Sequence, residues 1–292
     1  MSDSGFNDIE DIKRTIISLL YKECLGRPYD DAGMKYYLDS DLTPEAIFYI
    51  LYNSDEAKRY RGKLEEEERR REEDPTLPLT LATFVKNNEK SIGSCISSLK
   101  PIVREIVVVD TGSDDSTVDI CKSLGARVYE IAFDGFDGFG NARTTTAHLA
   151  REPFVFMLDS DETILPEDLS KFKPIMERMC REDIDIVGLP RKRWSDLEMT
   201  EQLEKDVYPD LQYRLFKNKS KIKYVRRVHE TITGSDKRIE VLDGPCIQHF
   251  QDCFKSGENL ANRNRQYIEL QKKDIVEGVK HTEKAVEDID II

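Results

Sequence analysis

The sequence has few of the residues that mark a secreted, disulfide-bonded or membrane-spanning protein. Its 292 residues include six cysteines, and no two of these form a Cys-x-x-Cys pair or a zinc-binding spacing. We therefore expect the cysteines to be reduced and to pack in the interior. No apolar stretch approaches the ~20 residues that cross a bilayer, and the polar N-terminus is unlike a signal peptide. These absences predict a cytoplasmic protein, with any action at a membrane peripheral.

The sequence also lacks an excess of basic residues. It has 44 Lys and Arg against 57 Asp and Glu, a formal net charge of −13. A general nucleic-acid-binding role is excluded, because such proteins neutralise phosphates with a basic face. Basic residues are concentrated only in residues 214–227, which contain seven cations and no acid. This stretch is either a solvated strand edge protected by lysines or a local pocket for an anionic ligand.

The hydrophobic pattern divides the chain into several parts. Residues 1–62 read as a small helical module, and residues 63–75 read as a charged helical linker. In residues 76–255, strands alternate with helices. That alternation predicts an α/β domain with a mostly parallel, mixed sheet and helices on both faces. Residues 256–292 should form a C-terminal helix that packs on this domain or extends from it.

Carboxylates follow two of the predicted buried strands. The apolar run Ile106–Val109 leads directly into Asp110, and Phe154–Leu158 leads directly into Asp159-Ser160-Asp161-Glu162. Ligands of open α/β sheets bind beyond the carboxyl ends of the strands. Three carboxylates within four residues repel one another unless solvent or a cation relieves them, and oxygen-rich sites suit Mg²⁺ or Mn²⁺. The sequence therefore predicts an acidic crevice, with a solvated turn as the alternative.

These motifs, in this order, resemble glycosyltransferase family 2, whose members have the GT-A fold. The resemblance covers roughly residues 79–270. It is carried by the segments LATFVKNNE (81–89), IVVVDTGSDDST (106–117), GNAR (140–143), MLDSDE (157–162), QYRLFKN (212–218), VHE (228–230) and IQHF (247–250). The order of the separate motifs makes the match more specific than any one of them.

The resemblance implies a nucleotide-sugar site at the strand ends. Thr83 and Phe84, at the end of the first strand, and Asp110 would hold the nucleoside. Arg143 would contact the base or the phosphates. Asp159 would lie near the ribose or a metal-bound water.

The resemblance also implies a divalent metal, Mn²⁺ or Mg²⁺. Asp161 would be its direct ligand, and Asp159 could share that role. GT-A enzymes often add a C-terminal histidine; His249 fits this role best, and His229 is the second choice. A structural role for either histidine remains the alternative.

The implied reaction is transfer of a sugar from a nucleoside-diphosphate sugar, UDP-linked by family resemblance, with inversion at the anomeric carbon. An inverting transfer needs a base, and the candidates Asp210, Glu230 and Asp196 stay open. If the basic stretch 214–227 is functional, Arg226 or Arg227 would lie near the diphosphate or an anionic acceptor. The acceptor is a carbohydrate, a lipid-linked molecule or a protein.

Two other functions compete with this one. Leu158–Thr163 superficially matches the Asp-x-Asp-x-Thr strand end of a haloacid-dehalogenase-type phosphohydrolase, although no Gly-Asp-x-x-x-Asp run follows residue 170. A non-catalytic nucleotide-sugar-binding protein is the second alternative. Residues 16–60 resemble a small helical module of the DUF4214 type, for which we expect docking of the acceptor or a partner.

Overall fold

The structure is a computed structural model that describes residues 5–133, 137–203, 208–250, 253–254, 265 and 267–274. The chain divides into two compact units, Met1–Pro75 and Thr76–Ile292. Among the described residues, no helix combines the length and the apolar character that a bilayer span requires.

The first unit is helical, as the sequence predicts. Its helices are α1 (Gly5–Leu25), α2 (Asp31–Leu38), α3 (Pro44–Asn53) and α4 (Asp55–Glu73). Thr43 caps α3, because its side chain accepts a hydrogen bond from the Ala46 backbone N–H at 3.3 Å. The charged stretch expected to be a separate linker instead continues α4. Glutamate–arginine pairs one turn apart, such as Glu66–Arg69 at 2.6 Å, favour that continuation.

The second unit alternates strands and helices before it becomes strand-rich. Its first half consists of β1 (Leu77–Val85), α5 (Ile92–Leu99), β2 (Val103–Asp110), α6 (Thr117–Ser123), β3 (Arg127–Glu130), α7 (Phe139–His148), β4 (Phe154–Met157), β5 (Glu162–Ile164), a 3₁₀ turn (Pro166–Lys171) and α8 (Phe172–Arg181). Its second half consists of β6 (Ile186–Trp194), β7 (Gln202–Leu203), β8 (Asp210–Lys217), β9 (Lys223–Val225), β10 (Thr231–Thr233), β11 (Arg238–Glu240) and β12 (Ile247–His249), followed by helical residues 267–274.

Among the described residues, ten strands form one mixed sheet, whose main order is β3-β2-β1-β4-β8-β6-β12-β5. Strands β3, β2, β1 and β4 run parallel, so their carboxyl ends lie at one edge. Strand β8 is antiparallel to both β4 and β6. Strands β9 and β10 form a separate hairpin.

Side chains of the central strands alternate between two apolar layers. Leu81 and Phe156 pack on one face, with α5, α6 and α8. Ala82 and Val155 pack on the other face, with residues from the end of α7 and the β9–β10 hairpin. The predicted α/β, GT-A-type architecture with helices on both faces is therefore confirmed.

Some elements were not predicted. The helix expected from Pro166 to about Arg181 begins as a 3₁₀ turn and becomes α-helical at Phe172. The short strands β5, β7, β9, β10 and β11 have two or three residues each, which is too short for an alternating pattern to be recognised. The C-terminal helix expected in residues 256–292 lies largely outside the described residues; within it, residues 267–274 are described and are helical.

Candidate active site

The carboxylates expected to line an acidic crevice lie where β1, β2 and β4 end. Asp110 is the last residue of β2 and pairs with Val85 of β1. Asp159 follows β4 by two residues, and the Leu158 backbone N–H bonds to the Ala82 carbonyl. Because the three strands are neighbours and parallel, the residues predicted at their ends lie at the same edge.

Two buried oxygens near this edge have no partner within the part of the chain that the structure describes. The Asp110 Oδ2 atom accepts hydrogen bonds from the backbone N–H groups of Gly112 and Ser113, both at 3.0 Å. The Asp110 Oδ1 atom and the Thr83 Oγ1 atom are buried and have no hydrogen-bond partner among the described residues. Buried polar atoms are nearly always paired, so each of these oxygens is a candidate contact for a polar ligand.

Asp159 is held by two arginines. Its carboxylate lies 2.7 Å from Nη2 of Arg143, on α7, and 2.9 Å from Nη2 of Arg214, on β8. Burial opposes ionisation of Asp159, but the two guanidinium groups outweigh it and hold its pKa far below the ordinary aspartate range. Arg143 also keeps its Nη1 atom buried without a hydrogen-bond partner among the described residues.

Glu162 is the buried anchor of the same cluster. Its side chain is fully buried, and its Oε2 atom accepts a hydrogen bond from the Asp159 backbone N–H at 3.0 Å. Its Oε1 atom lies 3.2 Å from Arg191 and 3.7 Å from Arg214. The predicted repulsion among neighbouring carboxylates is therefore relieved by arginines: Arg143, which was a predicted site residue, and Arg191 and Arg214, which were not.

Asp161 lies beside His249, and both are candidate metal ligands from the sequence. The distance from His249 Nε2 to Asp161 Oδ1 is 3.7 Å. Strand β12 pairs with β5 so that His249 faces Glu162, and the Phe250 backbone N–H bonds to the Asp161 carbonyl. This antiparallel pairing brings together two residues that are 88 positions apart in the chain.

The side chains fit a metal that is only partly enclosed by protein. In the described ranges, no three His, Cys, Asp or Glu side chains converge on one metal position. Asp161 and His249 supply a hard oxygen and an imidazole nitrogen. Mg²⁺ and Mn²⁺ sites of nucleotide enzymes often use one or two carboxylates and complete their shell with substrate phosphates and water. The pair therefore suits a metal that arrives with a nucleotide.

His229 and Glu230 reach the site from the chain between β9 and β10. Glu230 lies 3.3 Å from Nε of Arg143. Arg143 also pairs with Asp159, so the same arginine contacts both carboxylates. His229 is exposed and meets the Tyr267 ring edge-on, with centroids 5.3 Å apart. The structure pairs Asp161 with His249 and places His229 against an aromatic ring.

The other two base candidates differ in their surroundings. The Asp210 Oδ2 atom accepts from Nε and Nη2 of Arg191 at 2.8 and 2.6 Å. Burial opposes its ionisation, but Arg191 holds the pKa of Asp210 below the ordinary value. Asp196 is part of a turn, where its carboxylate accepts from the backbone N–H groups of Thr200 and Glu201.

Arg227, which was predicted to lie near the diphosphate, forms ion pairs with two carboxylates. Its guanidinium group bonds to Asp137 and Asp274, and its side chain is 9% exposed. Those two carboxylates neutralise its charge, so a phosphate would have to displace one of them. The basic stretch 214–227 is not one exposed face, because Arg214 is buried in the Asp159 cluster while Lys219 pairs with Asp185.

An open α/β sheet whose parallel strands end beside clustered carboxylates defines a class of protein that binds its ligand at that edge of the sheet. The family model of glycosyl transferase family 2 matches residues 80–236, more than half of the chain. The chain belongs to glycosyl transferase family 2. This membership confirms the resemblance and removes the phosphohydrolase alternative.

Several curated proteins are similar to this chain. The SPbeta prophage-derived glycosyltransferase SunS of Bacillus subtilis is 29% identical over 201 residues, which are 68% of this chain and 45% of that protein. The lipopolysaccharide core biosynthesis glycosyltransferase LpsC of Rhizobium meliloti is 32% identical over 92 residues, 31% of this chain and 34% of that protein. The chain spans about half the length of the first curated relatives that it matches.

Solved structures are more distant. Residues 1–349 of S. aureus TarS, in complex with UDP-GlcNAc, give a TM-score of 0.46 at 17% identity, over 63% of this chain and 61% of that one. The glucosyl-3-phosphoglycerate synthase of Mycobacterium tuberculosis, in complex with Mn²⁺, UDP and glucosyl-3-phosphoglycerate, gives a TM-score of 0.32 at 25% identity, over 41% and 45% of the two chains.

Proposed function

We propose that this protein transfers a sugar from a nucleoside-diphosphate sugar, UDP-linked, to an acceptor hydroxyl or comparable nucleophile, with a divalent metal and with inversion. The observation that carries this proposal is that Thr83 and Asp110 each have a buried oxygen without a partner among the described residues, at the sheet edge where Asp159 and Asp161 also lie. Family membership supplies the reaction class. The nucleotide, the metal and the stereochemistry are the parts that need testing.

In this proposal, the nucleoside binds at β1 and β2. The Asp110 Oδ1 and Thr83 Oγ1 atoms accept from the base or ribose, and Phe84 supplies an apolar wall. The Phe84 ring lies 5.3 Å from the Arg143 guanidinium carbon. Arg143 therefore connects the nucleoside end of the crevice to Asp159, and its buried Nη1 atom is available to a donor phosphate.

Asp161 and His249 would hold the metal together with the donor phosphates, and Asp159 would support them from its position between two arginines. A bound Mn²⁺ or Mg²⁺ would neutralise negative charge on the leaving diphosphate. The chain's own contribution is electrostatic preorganisation: Arg143, Arg214 and Arg191 are fixed beside the carboxylates before any ligand arrives.

Glu230 is the base that the geometry favours. A single displacement forms a bond from the acceptor oxygen to the anomeric carbon, breaks the bond to the diphosphate oxygen and transfers the acceptor proton to a carboxylate. Asp210 is bound by two nitrogens of Arg191, and its lowered pKa makes it a weaker base. Among the described residues, Glu230 forms a longer ion pair, 3.3 Å to Nε of Arg143, so it is held less tightly than Asp210.

The acceptor, the cellular location and the role of the N-terminal helices belong to the same proposal. The acceptor is a carbohydrate, a lipid-linked molecule or a protein, reached in the cytoplasm or at the face of a membrane. The first unit would dock the acceptor or a partner. It exposes aromatic side chains on α3, including Tyr49, whose exposed fraction is 70%.

The test combines a donor panel with one variant. Wild-type protein should hydrolyse at least one of UDP-glucose, UDP-galactose and UDP-N-acetylglucosamine slowly, and chelator should abolish this activity. Asp161→Asn should lose the stimulation by Mn²⁺ but still bind metal-free UDP. No hydrolysis of any nucleotide sugar, with UDP binding intact, would favour the non-catalytic binding protein. Full Mn²⁺-dependent activity of Asp161→Asn would refute the assigned metal ligand.

A further inference from the structure

The segment Arg226–Glu230 carries the proposed base on a strained backbone. Arg226 has φ 75° and His229 has φ 50°, both in the left-handed region that side chains other than glycine rarely adopt. Such residues persist only when their surroundings hold them, and they concentrate at functional sites. We call this segment the 226–230 loop. The contacts that hold its backbone should therefore affect the function of the site.

Arg227 connects the loop to two carboxylates. Its Nε and Nη2 atoms donate to Asp137 at 2.7 and 2.8 Å. Its Nη1 atom donates to Oδ1 of Asp274 at 2.9 Å, and its backbone N–H donates to Oδ2 of Asp274 at 3.1 Å. The Asp274 side chain is 1% exposed, whereas that of Asp137 is 68% exposed. Both oxygens of a buried carboxylate thus bind one residue of the loop.

The backbone of the loop also bonds to the start of α7, the helix that carries Arg143. The backbone N–H groups of Phe139 and Gly140 donate to the carbonyls of Arg227 and Arg226 at 2.8 and 3.2 Å. A Cβ atom on Gly138 would lie 2.5 Å from the Arg227 Cα atom, and one on Gly140 would lie 2.2 Å from the Arg226 carbonyl oxygen. The absence of a Cβ atom at Gly138 and Gly140 therefore permits a close backbone approach.

The C-terminal helix touches the loop a second time. Tyr267 contacts His229 edge-on, and its ring lies 6.2 Å from that of Phe139. Tyr267 and Asp274 are seven residues apart, which is about two helical turns, so they share a helix face. One face of this helix therefore contacts the loop at both Arg227 and His229.

We propose that Asp274 is a positioning residue for catalysis: through Arg227 it fixes the 226–230 loop so that Glu230 stays beside Arg143. The inference rests on the proposed function, because it concerns the base of that reaction. Asp274 touches no reacting atom. It acts by holding the strained loop, and small displacements of a catalytic group cost large factors in rate.

The test compares Asp274→Asn with a matched control, Asp185→Asn, in the full chain. Asp185 is also a buried carboxylate, bound by Lys219 and Ser235, and it is not part of the proposed site. Asp274→Asn should lower kcat about 10- to 100-fold and change the donor KM less than about threefold. Asp185→Asn, at equal or greater loss of thermal stability, should keep kcat within about threefold of wild type.

Hydrogen exchange provides a readout that is independent of activity. Asp274→Asn should speed exchange of the Arg227, Phe139 and Gly140 amides, while Asp185→Asn should leave them unchanged. Faster exchange without a loss of kcat beyond that of the control would overturn the positioning role. Unchanged exchange would overturn the proposed contact itself. If wild type has no transferase or hydrolase activity, the proposed function fails, and positioning for catalysis fails with it even where exchange shows the contact.

Discussion

The direct test of the nucleoside site is the substitution Asp110→Asn. The Oδ2 atom of Asp110 accepts two backbone hydrogen bonds of the following turn, and Oδ1 is the buried oxygen without a partner in the described structure. Asparagine keeps one oxygen for the turn and replaces the other with an NH₂ group. The substitution therefore removes the acceptor while it preserves the loop, which alanine would not do.

The expected loss of affinity follows from that geometry. A hydrogen bond to a charged group contributes about 1.5–3 kcal/mol, and each 1.4 kcal/mol is a factor of about ten in Kd. UDP should bind Asp110→Asn roughly 10- to 100-fold more weakly than wild type. Folding has already removed the Oδ1 atom from water, so ligand binding carries no further desolvation cost for this atom. We therefore expect the upper part of this range.

The assay is isothermal titration calorimetry with UDP, with and without Mn²⁺. Asp115→Asn is the control, because Asp115 lies in the same loop and accepts from the backbone N–H groups of Thr117 and Glu89. This control should lose some thermal stability and keep its affinity for UDP. Equal affinity of wild type and Asp110→Asn would remove Asp110 from the site. Equal losses in both variants would mean that loop order, and not direct contact, determines binding.

Two further predictions concern the base and the acid stability of the fold. Glu230→Gln should lower sugar transfer about 10²- to 10⁴-fold with donor affinity retained, and Asp210→Asn should lower it less; the reverse order in steady-state kinetics would assign the base to Asp210. Burial opposes ionisation of Asp185, but hydrogen bonds from Lys219 and Ser235 hold its pKa below the ordinary value. Its stabilisation is therefore complete above about pH 4 and is lost as pH falls through the folded-state pKa. Asp185→Asn should flatten the fall of unfolding free energy below about pH 4 in denaturant titrations, and parallel curves for both proteins would contradict this.

The first half of the second unit could be predicted from the sequence because its signals are local. Buried parallel strands appear as continuous apolar runs, such as Phe154–Leu158, and helix ends carry recognisable residues, such as Gly125 after α6. Asp110 and Asp159 also follow this logic, because parallel neighbouring strands place their ends at one edge.

The second half was harder to predict because its strands are short and their partners are distant. The sequence suggests that Arg214 belongs to an exposed basic stretch. The pairing of β8 with β4 instead places its side chain in the cluster around Asp159. Arg214 lies within the family motif Gln212–Asn218, and this position was the sequence feature that could have indicated a role in the site. Arg191 gave no local signal at all.

The sequence by itself determined the family, the order of the main strands and helices, and the strand-end aspartates, since each depends on residues that are close together in the chain. Only the tertiary structure decided which charges meet. The β5–β12 pairing brings His249 to Asp161, and the C-terminal helix brings Asp274 to Arg227. The physical reason is that a buried charge is stabilised by its three-dimensional neighbours, and sequence spacing does not specify those neighbours.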